Sequence, residues 1–289
     1  MHYQGNIFRP PSEANSILLQ VTTGCSHNTC TFCGMYKQSR FTIKDDATIM
    51  ADIEFAAHHC RRQHRLFLCD GDALILPQKR LLPILEAIRG KLPWVTRVGT
   101  YANARSIALK TVGELEQLRD LGLKIAYMGL ESGDDEVLTS INKGSESARI
   151  IEMAKKLRAA GIKLSITVIL GIAGIEGSHR HAEQSGRALT EIDPEYVGAL
   201  SLMLVPETEL YRRWEQGRFV LPGPREMLSE LQIMIRHTDL TRGLFHANHA
   251  SNYLPIKARL PKDKAATLAL IDRALAGEID LRPEYLRGL

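Results

Sequence analysis

Apolar and polar positions follow two rhythms along this chain. Short, nearly unbroken apolar runs recur at 16–23 (SILLQVTT), 65–70 (RLFLCD), 94–100 (WVTRVGT), 124–131 (KIAYMGLE), 162–171 (IKLSITVILG) and 196–205 (YVGALSLMLV). Each has the length of a strand, and unbroken apolarity suits a strand covered on both faces. Between them, residues 45–63, 78–90, 112–122, 146–161 and 178–191 carry helical patterns. The first of these begins acidic and ends basic, as a helix dipole favours. Pro83 falls early in 78–90, in its first turns or at a kink, and Gly90 marks its end. The pattern predicts six βα repeats, with strand ends near residues 22, 70, 99, 130, 170 and 204. Parallel strands joined by right-handed crossovers follow, so the fold class is α/β. An open doubly wound sheet and a full or partial βα barrel both fit this periodicity.

In either architecture, function gathers beyond the carboxyl ends of the strands. The uncommon residues fall there repeatedly: DGDAL (70–74), TYANAR (100–105), ESGDDE (131–136), GIAGIEG (171–177) and PETEL (206–210). The first strand runs into GCSHNTCTFCGMYK (24–37), which holds Cys25, Cys30 and Cys33 at spacing C-x4-C-x2-C. A disulfide, a zinc knuckle and the thiolate ligands of an iron–sulfur cluster compete to explain it.

Composition narrows the choice. The 289 residues are 44% hydrophobic and 24% charged, ordinary for a globular chain with a sizeable core. No apolar run is long enough for a membrane span, and MHYQGNIFRPPSEANS lacks the apolar core of a secretory signal. A reducing, cytoplasmic setting is therefore expected, where clustered thiols bind metal or do chemistry. The net charge of +4 suits an anionic small molecule and is no nucleic-acid footprint. A zinc knuckle would want a fourth thiolate or imidazole. A [4Fe–4S] cluster given three thiolates keeps one iron open to a small molecule. His27 is the alternative fourth ligand, and Phe32 either packs the loop or lies against an adenine. Cys60 and Cys69 have no partners at cluster spacing and are expected to pack.

These residues resemble the radical S-adenosylmethionine (SAM) superfamily, in style its Elp3/MiaB/NifB-like core, over roughly residues 15 to 215. CTFC is similar to the family's C-x-aromatic-C ending, and GLESG with INKG to its fourth strand and the helix after it. Two departures stand out. Four residues separate Cys25 from Cys30 where the family has three, and Asp70-Gly71-Asp72-Ala73 replaces the family's Gly-Gly-Glu-Pro. The resemblance implies a partial (βα)6 TIM-like barrel with a short C-terminal extension. It implies a [4Fe–4S] cluster on Cys25, Cys30 and Cys33, with SAM chelating the fourth iron and cleaved to methionine and a 5′-deoxyadenosyl radical. Gly71 and Asp72 would approach the SAM amino group, and Glu131 with Ser132 the ribose hydroxyls. Gly171 and Gly174 would pass the adenine. Turns and helix caps are the plain alternatives at each position, and Tyr101 and Asn103 are weaker candidates facing substrate. Expected partners are a small-molecule substrate and an electron donor such as a flavodoxin or ferredoxin. An RNA-modifying enzyme, a cluster-bearing electron carrier or scaffold, and a zinc protein are the rivals.

The core is assigned to residues 1–215 and a closing extension to 216–289. The extension contains LFHANHASNYLPIKARLPKDK, where His246, Asn248 and His249 offer donors and acceptors to a polar substrate. A polar cap over the barrel is the alternative. LTRGLFHAN reads as a further strand and LPKDKAATLALIDRALAG as a helix starting after Pro261. His58, His59, His64, His179, His181 and His237 lie in charged helical contexts and are expected to be solvated. No cysteine follows residue 210, so no auxiliary cluster is expected.

Overall fold

In chain order the strands are β1 (Ile17–Gln20), β2 (Thr22–Thr23), β3 (Thr42–Ile43), β4 (Arg65–Cys69), β5 (Arg97–Ala102), β6 (Leu123–Glu131), β7 (Lys163–Leu170), β8 (Tyr196–Ser201), β9 (Leu244–Ala247) and β10 (Ile256–Arg259). The helices are α1 (Asp46–His59), α2 (Gln78–Lys91), α3 (Ala104–Ala108), α4 (Val112–Asp120), α5 (Asp135–Ser140), α6 (Ser147–Ala159), α7 (Gly174–Ile192), α8 (Glu209–Glu215), α9 (Pro224–Arg236) and α10 (Lys264–Leu275). This is a computed structural model, and it describes residues 1–288. The long strands form one eight-stranded sheet in the order β1-β4-β5-β6-β7-β8-β9-β10. A doubly wound sheet reverses its strand order at a switch point, whereas a βα barrel adds each strand beside the last. The sequential order is that of a barrel left open, which decides the choice the periodicity left unmade.

The chain folds as two compact units, the first formed by Met1–Asn28, Met35–Met128 and Glu152–Leu164. Within it β1, β4, β5 and the early residues of β6 pair in parallel, with Ile17 beside Leu66, Arg65 beside Arg97 and Tyr101 beside Tyr127. Phe67, Leu66 and Leu68 of β4 are fully buried, as are Ile49 and Ile53 of α1 and Leu81, Ile84 and Leu85 of α2. The helical apolar spacing thus marks the faces that cover the sheet. Asp45 caps α1 by accepting from the Thr48 amide, and Thr111 with Glu114 forms a reciprocal capping box on α4. Pro83 lies inside α2, which continues to Lys91. The expected first strand is split, because Thr22 and Thr23 leave β1 to pair antiparallel with β3. The expected strand at 94–100 starts late, since Val95 closes a turn onto Leu92 before β5 begins.

The second unit comprises Thr29–Gly34, Gly129–Ile151 and Ser165–Leu289. Here β7 and β8 pair in parallel from Ser165–Tyr196 to Leu170–Ser201. The strand expected in LTRGLFHAN is β9, parallel to β8, and β10 returns antiparallel to it. The expected closing helix is α10. The sequence pattern anticipates neither α8, α9 nor β10. One expectation is corrected outright: His181 is not solvated but fully buried on the inner stripe of α7, with Ala182, Ser185, Leu189 and Ile192. Residues at i, i+4 and i+8 share a helix face, so the histidine follows the apolar side. Helices α7 and α9 pack closely because Gly186 carries no side chain; a Cβ there would lie 2.6 Å from the Met234 carbonyl oxygen.

That approach predicts opposite signs for two glycine-to-alanine changes. Gly186→Ala should force backbone apart and destabilise by about 1–3 kcal/mol. Gly113→Ala, at an exposed position of α4 with open space around it, should stabilise by about 0.4–1 kcal/mol. Thermal unfolding of the two variants beside the parent checks both.

Candidate functional site

The cysteine loop begins against the end of β4. Gly24 has φ +70°, and its carbonyl accepts from the Gly71 amide at 3.0 Å. A Cβ on Gly71 would come within 2.7 Å of both Cα and Cβ of Cys25. Glycine is therefore required at 71 by the cysteine itself. Beside it Asp72 is fully buried, and its Oδ2 accepts from the Ser26 hydroxyl at 2.6 Å and the Asn103 amide at 2.8 Å. Its Oδ1 has no partner. Burial pushes the Asp72 carboxyl above its ordinary value, while the Ser26, Ser106 and Asn103 side chains pull the other way. Asp70 ends the strand at φ +70°, accepting from Gln20 Nε2 at 2.5 Å, and burial raises its carboxyl too. Tyr101 is half-buried in β5, edge-on to Phe67 with ring centroids 5.1 Å apart.

The other two cysteines of the loop lie in the second unit, half-buried, with Phe32 between them. Their segment is held by Thr31, whose amide donates to Ile141 and whose carbonyl accepts from Leu210. None of the five cysteines forms a disulfide. Among the described residues no three histidine, cysteine, aspartate or glutamate side chains gather to hold a metal ion. A zinc knuckle draws its thiolates onto one ion at about 2.3 Å. A cluster takes one thiolate per iron and keeps them apart. Cys69 is buried, its thiol raised far above the ordinary value by burial and then by Asp70. Burial also raises the Cys60 thiol. Neither is a ready thiolate ligand.

Glu131 ends β6 in the left-handed region, φ +61°, which costs a non-glycine residue about 1–2 kcal/mol. Its carboxylate folds over Gly129 and pairs with Lys143 of the INKG segment at 2.7 Å. Ser132 is fully buried, 2.7 Å from His181 Nδ1, and accepts from the Asp134 amide. Gly171 ends β7 at φ +82°, and its missing side chain leaves room for Met227 Cε, 2.7 Å from where a Cβ would sit. Gly174 opens α7 at φ +67° against Phe219. Three strand ends thus turn through left-handed backbone at Asp70, Glu131 and Gly171. Such positions persist where the surroundings over-determine them, often at functional sites.

In the extension, His246 is half-buried on β9, Asn248 is exposed and His249 half-buried. His249 Nδ1 lies 3.0 Å from Ser251 Oγ. Burial lowers both imidazoles below their ordinary value, with Lys257 adding to it at His246 and Arg282 at His249. The structural work falls to two neighbours: Ser251 accepts from the Ser201 amide, and Asn252 accepts from the Ser201 hydroxyl and donates to the Ala199 carbonyl.

Sequence reasoning did not single out Ser26, Lys143, His181 or Glu230. The legible signal was a histidine and a glutamate on the apolar stripes of α7 and α9. The donor set suits the [4Fe–4S] cluster and SAM that the resemblance implies. Three thiols stand within nine residues of one loop. A buried carboxylate beside that loop keeps one oxygen open, and the SAM amino group is a cation that would fill it.

Residues 19–182 match the Radical SAM superfamily. The heme chaperone HemW of Bacillus subtilis (strain 168) is 21% identical over 189 residues, 65% of this chain and 49% of HemW. The chain therefore spans about half the length of that relative. Methylornithine synthase (PylB) shares the fold with a TM-score of 0.54 at 14% identity, over 78% of this chain and 63% of that one. Coproporphyrinogen III oxidase (HemN) from Escherichia coli does so with a TM-score of 0.54 at 16% identity, over 76% and 51%.

Asp72 supplies a test of the pocket independent of any cofactor. Its folded pKa lies above the unfolded value, so its contribution to stability is full while it is protonated and lost as pH rises through the folded value. Asp72→Asn keeps an oxygen for Ser26 and Asn103 and removes the charge. The cofactor-free variant should melt higher than the parent at pH 7, and the gap should close as pH falls toward about 4, the ordinary aspartate value. Melting curves across pH check this.

Proposed function

This chain belongs to the radical SAM superfamily, and we propose that it is an enzyme that reductively cleaves SAM at a [4Fe–4S] cluster held by Cys25, Cys30 and Cys33. The contact of Gly71 with Cys25 carries the reading, because it makes the cysteine loop and the DGD turn one construction with the open oxygen of Asp72 beside it. The cofactors supply the hard chemistry, one-electron scission of SAM to methionine and a 5′-deoxyadenosyl radical that takes hydrogen from a small-molecule substrate.

The chain's own residues bind and orient. Cys25, Cys30 and Cys33 would hold the cluster through their thiolates, and SAM would bind beside it. Asp72 accepts from the amino group, which offsets the cost of burying its charge. Glu131 accepts from ribose hydroxyls while Lys143 holds its carboxylate in place, and Ser132 supports that turn. Gly171 and Gly174 lie along the adenine, with Phe32 against it. His246, Asn248 and His249 face the substrate, and residues 216–289 act as the segment that shields the reaction from water. Reducing equivalents come from a donor such as a flavodoxin or ferredoxin in the cytoplasm.

The HemW match favours a second reading, in which the substrate or cargo is a heme or related tetrapyrrole. Burial lowers the His246 and His249 imidazoles, which favours the neutral form in which imidazole binds metal. Heme titration of the protein, with and without His246→Ala and His249→Ala, separates the two.

Anaerobic reconstitution should load about four irons per chain. Cys25→Ala, Cys30→Ala or Cys33→Ala should lose that cluster's absorption, and Cys60→Ala and Cys69→Ala should keep it. Stoichiometric zinc that iron cannot displace would sink the cluster assignment.

The reduced protein should release 5′-deoxyadenosine and methionine from SAM, slowly without substrate. Intact SAM after long incubation with a strong reductant would leave an electron carrier or scaffold.

A further inference from the structure

The second unit holds a buried polar cluster that the proposed chemistry does not use. His181 on α7 is fully enclosed, with Nδ1 2.7 Å from Ser132 Oγ and 3.3 Å from Ser185 Oγ. Its Nε2 faces Glu230 of α9, 3.4 Å from Oε1. Glu230 is 1% exposed, and the same oxygen accepts from the Gly171 amide at 2.6 Å. Its other oxygen accepts from the Ser178 hydroxyl. Ser185 in turn accepts from the Gly133 amide at 2.8 Å.

A serine, a histidine and a carboxylate in line form the donor set of a hydrolase, but no substrate could reach this one. Ser132 is fully buried, and its oxygen already accepts from the Asp134 amide. The geometry fits a different task. Nδ1 shares a hydrogen bond with the Ser132 hydroxyl, and Nε2, which makes no hydrogen bond, faces the Glu230 carboxylate at ion-pair distance. The buried carboxylate receives a backbone amide on one oxygen and a hydroxyl on the other, the donors it needs to stay away from water. The chain of contacts runs from the turn after β6, which holds Glu131, to the turn after β7, which holds Gly171.

We propose that His181 and Glu230 are positioning residues for the nucleoside half of SAM, clamping the Glu131 and Gly171 turns into one rigid frame. This rests on the reading that those two turns contact SAM. Neither residue touches the cofactor. They act by removing freedom from two strand ends that each leave the sheet through left-handed backbone, so the frame is set before the ligand arrives.

Two substitutions cut the clamp in halves. In His181→Asn the amide overlays Nδ1, keeping the Ser132 arm and losing reach to Glu230. His181→Gln overlays Nε2, keeping the Glu230 arm and losing Ser132. Both variants should load as much iron as the parent, and each should bind SAM about tenfold more weakly by equilibrium dialysis. Amide exchange without SAM should rise at residues 171–174 in the first and 131–134 in the second. Should His181→Asn fail to fold, the isosteric Glu230→Gln reads the same arm. Unchanged SAM affinity in the folded variants, or faster exchange spread evenly over the unit, overturns the proposal. Glu131→Ala separates it from its premise. If that change weakens SAM and the His181 changes do not, only the positioning role fails. If Glu131→Ala leaves SAM affinity unchanged, the nucleoside site is misassigned and the clamp falls with it.

Discussion

One steric contact governs the start of the site: the backbone of Gly71 lies so close to Cys25 that any side chain would collide with it. The Gly71 amide bonds to Gly24 across the same gap, so the loop after the first strand is pinned to the turn after β4. Ser26, next to Cys25, can then reach Asp72, and Asp72 can gather Asn103 from the loop after β5. Three successive strand ends are tied together through one carboxylate. A loop of small and polar residues gains its fixed shape from that anchorage rather than from secondary structure of its own.

Two of the buried acids without a full ion pair, Asp72 and Glu230, are handled in opposite ways, and the contrast bears on function. Glu230 has donors for both oxygens. Asp72 has two donors on one oxygen and none on the other, which is an expensive arrangement to keep in a folded protein. A carboxylate left open at a strand end is the kind of local inconsistency expected where a ligand completes the structure. Glu131 lies between these cases: Lys143 pairs with its carboxylate, yet it ends its strand in left-handed backbone.

Much of this was legible in the sequence. Six parallel strands and their helices follow from apolar runs and capping residues, which are local signals. The cysteine spacing and the acidic or glycine-rich strand ends are local as well. What escaped depends on partners far apart in the chain. Gly71 looked like a residue cleared for a ligand, but its emptiness is filled by Cys25, some 46 positions earlier. Likewise the space at Gly171 is taken by Met227. His181 resembled the other histidines of charged helices, and only its i, i+4 spacing to Ser185 and i, i+8 spacing to Leu189 marks it as inward. Glu230 sits in a run of apolar residues, where a lone acid has no local explanation. Helix α9 was missed for a related reason, since nothing nearby in sequence announces what its apolar face covers.

The extension consequently has two kinds of residue, and the physical demands on them differ. Ser251 and Asn252 are buried and bonded to β8, so their polarity is consumed in closing the sheet. Met227 and Phe219 occupy the room left by Gly171 and Gly174, and Glu230 bonds to the Gly171 amide. Met227, Phe219 and Glu230 thus make the turn after β7 depend on chain far downstream. His246, Asn248 and His249 keep polar surface, and half-burial lowers both imidazoles below their ordinary value. The residues after 215 therefore do more than carry polar side chains. Their buried part fixes the geometry of a turn in the core, and their exposed part is left free to meet whatever that geometry presents.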